Sequence, residues 1–163
     1  MSLVERGIAK GMRGFLRPLS QLLKRIDMNT SYCHGDSDRL HLGKRVSTVN
    51  TIFNVASGDI YVGDDTIFGH NCMVLTGRHE FLGGRRRRLV TGEPDTPTTG
   101  SDIRIGSGCW IASGAIITGG VTIGDNTIIG AGAVVAMDVP SGVFAAGVPA
   151  KVIKRLDSME DGV

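Results

Sequence analysis

The sequence has few aromatic residues: one tryptophan, two tyrosines and five phenylalanines in 163 residues. Its core must therefore be filled by smaller aliphatic side chains. The three cysteines, Cys33, Cys72 and Cys109, form no C-x-x-C pair. The odd number, with no secretion signal, reads as free thiols in a reducing cytoplasm. No apolar run approaches the roughly 18 residues of a membrane span. The N-terminus shows no long apolar segment followed by a small-residue cleavage site, so the expectation is a cytoplasmic protein. A formal net charge of +2 gives no bulk electrostatic case for a nucleic-acid partner.

Glycine, by contrast, is abundant, with 24 residues, about twice its average share. It comes with a period of six. Ile105, Ile111, Ile117, Ile123, Ile129 and Val135 are all β-branched aliphatics. Each is followed by a small residue: Gly106, Ala112, Thr118, Gly124, Gly130 and Ala136. Four places after each comes another compact side chain: Cys109, Ala115, Val121, Thr127, Ala133 and Val139. Neither a helical period of 3.6 nor a strand period of 2 produces this pattern.

The physical reading is one short strand and one turn per hexad, with the aliphatic side chain pointing into a narrow prism. Three hexads close one triangular coil. Stacked coils then pair as parallel strands around a continuous core. A looser block at Val62, Phe68 and Val74 keeps the spacing, and Leu42 begins another set slightly out of phase. Roughly four coils are expected, over about 40–79 and 105–140.

Between the blocks, residues 80–104 interrupt the repeat with Gly83-Gly84, the arginine run Arg85 to Arg88, Pro94 and Pro97. An excursion of that length in a solenoid reads as a functional or disordered loop projecting from one edge. The arginine run reads first as a solvated loop. Its alternatives are a site for an anionic acceptor or a wall of a cofactor pocket. Residues 1–28 differ in kind: Ile8, Met12, Phe15, Leu16, Leu19, Leu22, Leu23 and Ile26 fall at helical spacing among basic residues. This amphipathic segment, broken near Pro18, would cap the prism or lie weakly on a membrane surface or a partner. The expected organisation is this segment, an all-β domain over 29–156 with the inserted loop, and a short tail over 157–163.

The stretches Asp102 to Ala115, Gly120 to Asn126, Ile129 to Val135, Asp138-Val139-Pro140 and Ala146 to Lys154 resemble the C-terminal half of the maltose and galactoside O-acetyltransferase group within the hexapeptide-repeat acyltransferases. Upstream, Ile60 to Thr66 and Thr76-Gly77-Arg78-His79 resemble that group's first coils and catalytic histidine segment. The resemblance covers about 40–155. It implies a left-handed parallel β-helix, a known exception to the right-handed crossover rule. It also implies a homotrimer with each active site in a groove between subunits, acetyl-coenzyme A as the acyl donor, and no metal.

Acyl transfer from a thioester to a hydroxyl needs a base for the hydroxyl proton and a donor for the oxyanion. The resemblance assigns the base to His79, acting directly on an acceptor hydroxyl of a sugar or sugar-derived molecule. Glu80 is a candidate to fix its tautomer. The resemblance puts Trp110, Ser113, Ala131 and Ala136 along the coenzyme, and Lys151 and Lys154 at its phosphates. Acceptor binding falls to the first coils, where the group's asparagine and aspartate are not matched in register; Ser57 and the nearby Asn50 are the candidates. His70 occupies an exposed turn position, and His34 and His41 carry no strong case. Two alternatives remain: a zinc enzyme like the γ-class carbonic anhydrases, although His70 and His79 do not have that family's close spacing, and a non-catalytic β-helix that only binds. The residues leave open the acceptor's identity and the choice between oxygen and nitrogen.

Overall fold

A computed structural model describes residues 30–156; the expectations for residues 1–28 and for the tail lie outside them. The chain winds as a left-handed parallel β-helix. The first coil is β1 (Tyr32–His34), β2 (Leu40–Leu42) and β3 (Ser47–Val49). The second is β4 (Ile52–Asn54), β5 (Ile60–Val62) and β6 (Ile67–His70). The third begins with β7 (Met73–Leu75). The inserted loop follows, carrying β8 (Phe81–Leu82), β9 (Arg85–Arg86) and helix α1 (Arg87–Thr91). The coil then resumes with β10 (Ile103–Ile105) and β11 (Trp110–Ile111). Next come β12 (Ile116–Thr118), β13 (Thr122–Ile123) and β14 (Ile128–Ile129), and then β15 (Val134–Val135), a bridge from Val139 to Ile123, and β16 (Val143–Ala146). Finally β17 (Lys151–Arg155) turns back antiparallel along β16.

These strands make three faces. The first is β1-β4-β7-β12-β15, the second β2-β5-β10-β13, and the third β3-β6-β11-β14-β16-β17. The five parallel rungs of the first face count five coils, one more than the repeat pattern suggested. The extra coil is at the N-terminal end. There, Tyr32 to His34 pairs with Ile52 to Asn54 although the hexad signature has faded. Backbone hydrogen bonding extends the ladder where side-chain periodicity no longer marks it.

The six-residue step matches the packing. Ile105 lies between Val62 and Ile123, Ile111 between Phe68 and Ile129, and Ile117 between Val74 and Val135. All of these side chains are buried, each contributing roughly 1.5–3 kcal/mol of apolar transfer free energy. The compact residues four places on, from Cys109 to Val139, are buried as well. Where a polar side chain turns inward at a corner, it is usually bonded. Thr66 Oγ1 donates to the Gly106 carbonyl at 2.8 Å and accepts from the Cys109 amide at 3.1 Å. Burial pushes the Cys72 and Cys109 thiols up from their usual pKa, so they are packing groups rather than nucleophiles.

Small residues after each aliphatic let successive coils approach. A Cβ on Gly106 would sit 2.6 Å from the Asp125 backbone nitrogen, closer than the stacked backbone allows. The inserted loop leaves this stacking intact. Thr66 and Cys109, bonded across adjacent coils, are 43 residues apart, whereas Ser107 and Asp125 are 18 apart.

Alternation gives a direct test. Ile123 points into the prism and its neighbour Thr122 points out. Ile123→Ala is expected to cost about 2–5 kcal/mol, and Thr122→Ala to stay within about 0.5 kcal/mol, both read by denaturant unfolding. Equal effects would contradict the alternation.

Candidate active site

The loop leaves the prism where β7 turns from the first face to the second. Its start is anchored from below. Thr76 Oγ1 donates to the Asn54 carbonyl at 2.8 Å and accepts from the Ser57 amide at 3.1 Å. The Arg78 amide donates to Ser57 Oγ at 3.3 Å. The next residue, His79, is then held by a residue the sequence reading did not single out. Asp95 Oδ1 lies 3.0 Å from His79 Nδ1. The Asp95 carboxylate also receives Arg86 Nε at 2.7 Å on Oδ2 and Arg86 Nη2 at 3.1 Å on Oδ1.

Asp95 is buried at 3% exposure. Arg86 first, and then His79, hold its carboxyl far below the usual carboxylate range against the opposing effect of burial. An ionised carboxylate can only accept, so His79 carries its proton on Nδ1. Arg86 Nη2 lies 3.4 Å from the same nitrogen, but two donors cannot bond each other. Thr96 Oγ1, at 3.2 Å, offers Nδ1–H a second acceptor. The Nε2 lone pair is left free on a side chain that is 54% exposed. A buried acid, an oriented imidazole and a free ring nitrogen form the arrangement a general base requires.

Glu80 does not share this role. Its carboxylate accepts from Arg87 Nη1 at 2.8 Å, and Arg87 Nη2 reaches Glu93 at 2.7 Å. The Glu80 amide donates to the Asp95 carbonyl at 2.7 Å. Thus Arg86 and Arg87 close the loop on itself, while Arg85 and Arg88 remain exposed. A cavity of about 520 Å³ opens against His79, lined also by Arg78, Glu80, Phe81, Leu82, Arg87 and Thr91.

A second concavity, of about 580 Å³, runs along the third face. Its floor is a column of outward-facing apolar side chains in register, Trp110 over Ile128 over Phe144. Ser113 and Ala131 border it at the corner, and Lys154 and Arg155 come from β17. It shares no lining residue with the His79 cavity.

Of the expected coenzyme residues, Trp110, Ser113, Ala131 and Lys154 meet in this groove. Ala136 does not. It follows Val135, whose partner is Ile117, and so stands at the edge from which His79's loop departs. Lys151 lies at the other end of β17, opposite Ala146, and is exposed without lining the groove. Ser57 is fully buried and supports Arg78 from within instead of facing an acceptor. Asn50 stands at another corner, with a φ of 48° and its side-chain amide donating to Asn71, a corner-stacking role away from His79. His41 stacks on Tyr61 with ring centroids 4.5 Å apart. Among the described residues, no group of three or more histidine, cysteine, aspartate or glutamate side chains is arranged to hold a metal ion. Stepping one coil from Trp110 would have found Ile128 in the sequence. No sequence signal ties Asp95 to His79.

Residues 102–136 match the family model described as bacterial transferase hexapeptide (six repeats). Those residues carry the hexapeptide repeat, and several proteins similar to the chain are acetyltransferases. It is 28% identical to the galactoside O-acetyltransferase of Lactococcus lactis over 79% of this chain and 59% of that one. It is 42% identical to a 2,3,4,5-tetrahydropyridine-2,6-dicarboxylate N-acetyltransferase of Staphylococcus aureus over 75% of this chain and 33% of that one. The chain thus spans less than two thirds of the length of these relatives. Among solved structures, a maltose O-acetyltransferase from Clostridium difficile 630 superposes with a TM-score of 0.66 at 30% identity, covering 79% of this chain and 65% of that one. A galactoside acetyltransferase in complex with coenzyme A superposes with a TM-score of 0.64 at 28% identity, covering 78% and 60%.

The Asp95 clamp has a defined pH sense. A carboxyl whose folded pKa is depressed stabilises fully above its unfolded value of about 3.9. That contribution is lost as the pH falls from there through the folded value. Asp95→Asn should therefore loosen residues 80–100 at neutral pH, read as faster amide exchange and proteolysis there, with the melting of the β-helix unchanged. Unaltered loop protection in this variant would mean that the clamp does not order the loop.

Proposed function

We propose that this chain transfers an acetyl group from acetyl-coenzyme A to a hydroxyl of a sugar or sugar-derived acceptor, with His79 as the general base. The observation that carries this reading is the His79–Asp95 pair beside an open cavity, with Nε2 free. As the acceptor oxygen attacks the thioester carbonyl carbon, Nε2 takes the hydroxyl proton. The tetrahedral intermediate then collapses by breaking the carbon–sulfur bond, and the coenzyme thiolate leaves with the proton returned from His79. Asp95 stays ionised throughout, orienting the ring and stabilising the imidazolium.

The groove on the third face suits the donor. Trp110, Ile128 and Phe144 offer an apolar track for the pantetheine arm, and Lys154 and Arg155 offer charge for its phosphates. The exposed Phe81 ring in the His79 cavity suits the apolar face of a sugar ring. An amine acceptor is the second reading, favoured by the 42% identity to an N-acetyltransferase.

Because the His79 cavity and the Trp110 groove share no lining residue in one chain, we propose that a complete site takes His79 from one subunit and the groove from its neighbour in a homotrimer. His79→Ala should lower turnover by about 10²–10⁴-fold with coenzyme binding retained; near-normal turnover would remove His79 from the mechanism. Inactive His79→Ala and Trp110→Ala proteins, refolded together, should regain activity through mixed sites. Absence of recovery, together with an active monomer on sedimentation, would refute the shared site.

A further inference from the structure

The charges around His79 do not balance. Three of the loop's carboxylates, Glu80, Glu93 and Asp95, are taken up by Arg86 and Arg87, and the fourth, Asp102, by Arg104. Arg78, Arg85 and Arg88 form no ion pair with any described residue. Arg78 is in the most informative position. It directly precedes His79, and its backbone is fixed to the buried Ser57. It lines the His79 cavity and also a second cavity of about 300 Å³, which Gly77, Gly100, Gly119 and Gly120 help to line. A Cβ on Gly119 would meet the Ser101 side chain at 2.9 Å, so the coil packs closely at that corner.

We infer that the acceptor is an anion, its carboxylate or phosphate held by the Arg78 guanidinium while its hydroxyl meets His79, with Arg85 and Arg88 of the same loop adding to the attractive field. This rests on the acetyl-transfer reading above. A guanidinium presents a planar fork of donors that matches either anion. An uncompensated cation beside a reacting site raises the local concentration of anionic substrates. The coenzyme phosphates are an unsuitable partner for Arg78. They lie at the far end of the pantetheine arm from the thioester that must reach His79, and the groove on the third face carries its own cations.

The test uses three matched sugars with the full chain: glucose, glucuronate and glucose 6-phosphate. The wild-type protein should favour one of the two anions over glucose by about tenfold in kcat/KM, a size typical of hydrogen bonds to a charged group, and added salt should shrink the preference. The two anionic arms separate carboxylate from phosphate recognition. Arg78→Met should collapse the ratio, and Arg78→Lys, which keeps the charge but loses the fork, should restore part of it.

A wild-type preference for glucose, or an Arg78→Met protein slowed equally on all three sugars, overturns the inference; the latter would place Arg78 in structural support or a subunit contact. Calorimetric binding of the same sugars with coenzyme A present reads the anion preference without turnover. Anion-selective binding that depends on Arg78 but brings no thiol release would fault the acetyl-transfer reading and leave the anion site standing. Binding that shows no preference for the anions would overturn the site itself.

Discussion

A prism this narrow can hold one or two inward side chains per strand and little else, and much of the molecule follows from that limit. Ile105, Ile111 and Ile117 are shielded only when the coils on either side supply Val62, Phe68 and Val74 and then Ile123, Ile129 and Val135. No single coil has a core of its own. The backbone pairing of one coil with the next and the burial of its aliphatics are therefore one event, and the register between coils cannot slip without turning the core outward. Small residues at the corners are the other side of the same constraint, because stacked backbones meet there with no room for a side chain.

Such a scaffold accepts an insertion only at a corner, and only if the chain returns in register. The third coil does this. It leaves after β7 and resumes at β10 under the same partners it would have met without the loop. The loop has no apolar core, and Phe81, Leu82, Leu89 and Val90 are exposed. What orders it is polar. A buried carboxylate receives two bonds from Arg86 and one from His79, and a second arginine spans Glu80 and Glu93. The same interaction that folds the loop orients the imidazole and its tautomer, so the order of the segment and the placement of His79 have one cause.

Under the proposed function the two cavities divide the chemical work along the prism. The His79 cavity sets charged side chains beside Phe81 and Leu82 and is built by an irregular loop. The groove on the third face is lined largely by apolar side chains on rigid strands, a column set by the stacking of the coils. A loop suits selection of an acceptor, because its residues can vary without disturbing the core. A strand face suits a long flexible ligand that must be held extended.

The sequence by itself determined the β-helix, its inward residues and the position of the loop. Each of these depends on a repeat within one or two hexads, where spacing translates directly into geometry. The family resemblance also singled out His79, through the Thr76-Gly77-Arg78-His79 segment, and Trp110 as a groove residue. The tertiary structure decided the rest. Only the folded loop brings Asp95 to His79 across sixteen positions of irregular chain. Only the pairing of Arg86 and Arg87 splits the arginine run into two structural and two free cations. Only stacking shows that Ser57 is buried beneath Arg78 and that Ala136 and Trp110 stand at different places on the prism. Periodicity carries information about neighbours one coil apart. A loop without period carries none, and its contacts are settled by which charges can reach each other once both of its ends are pinned to the prism.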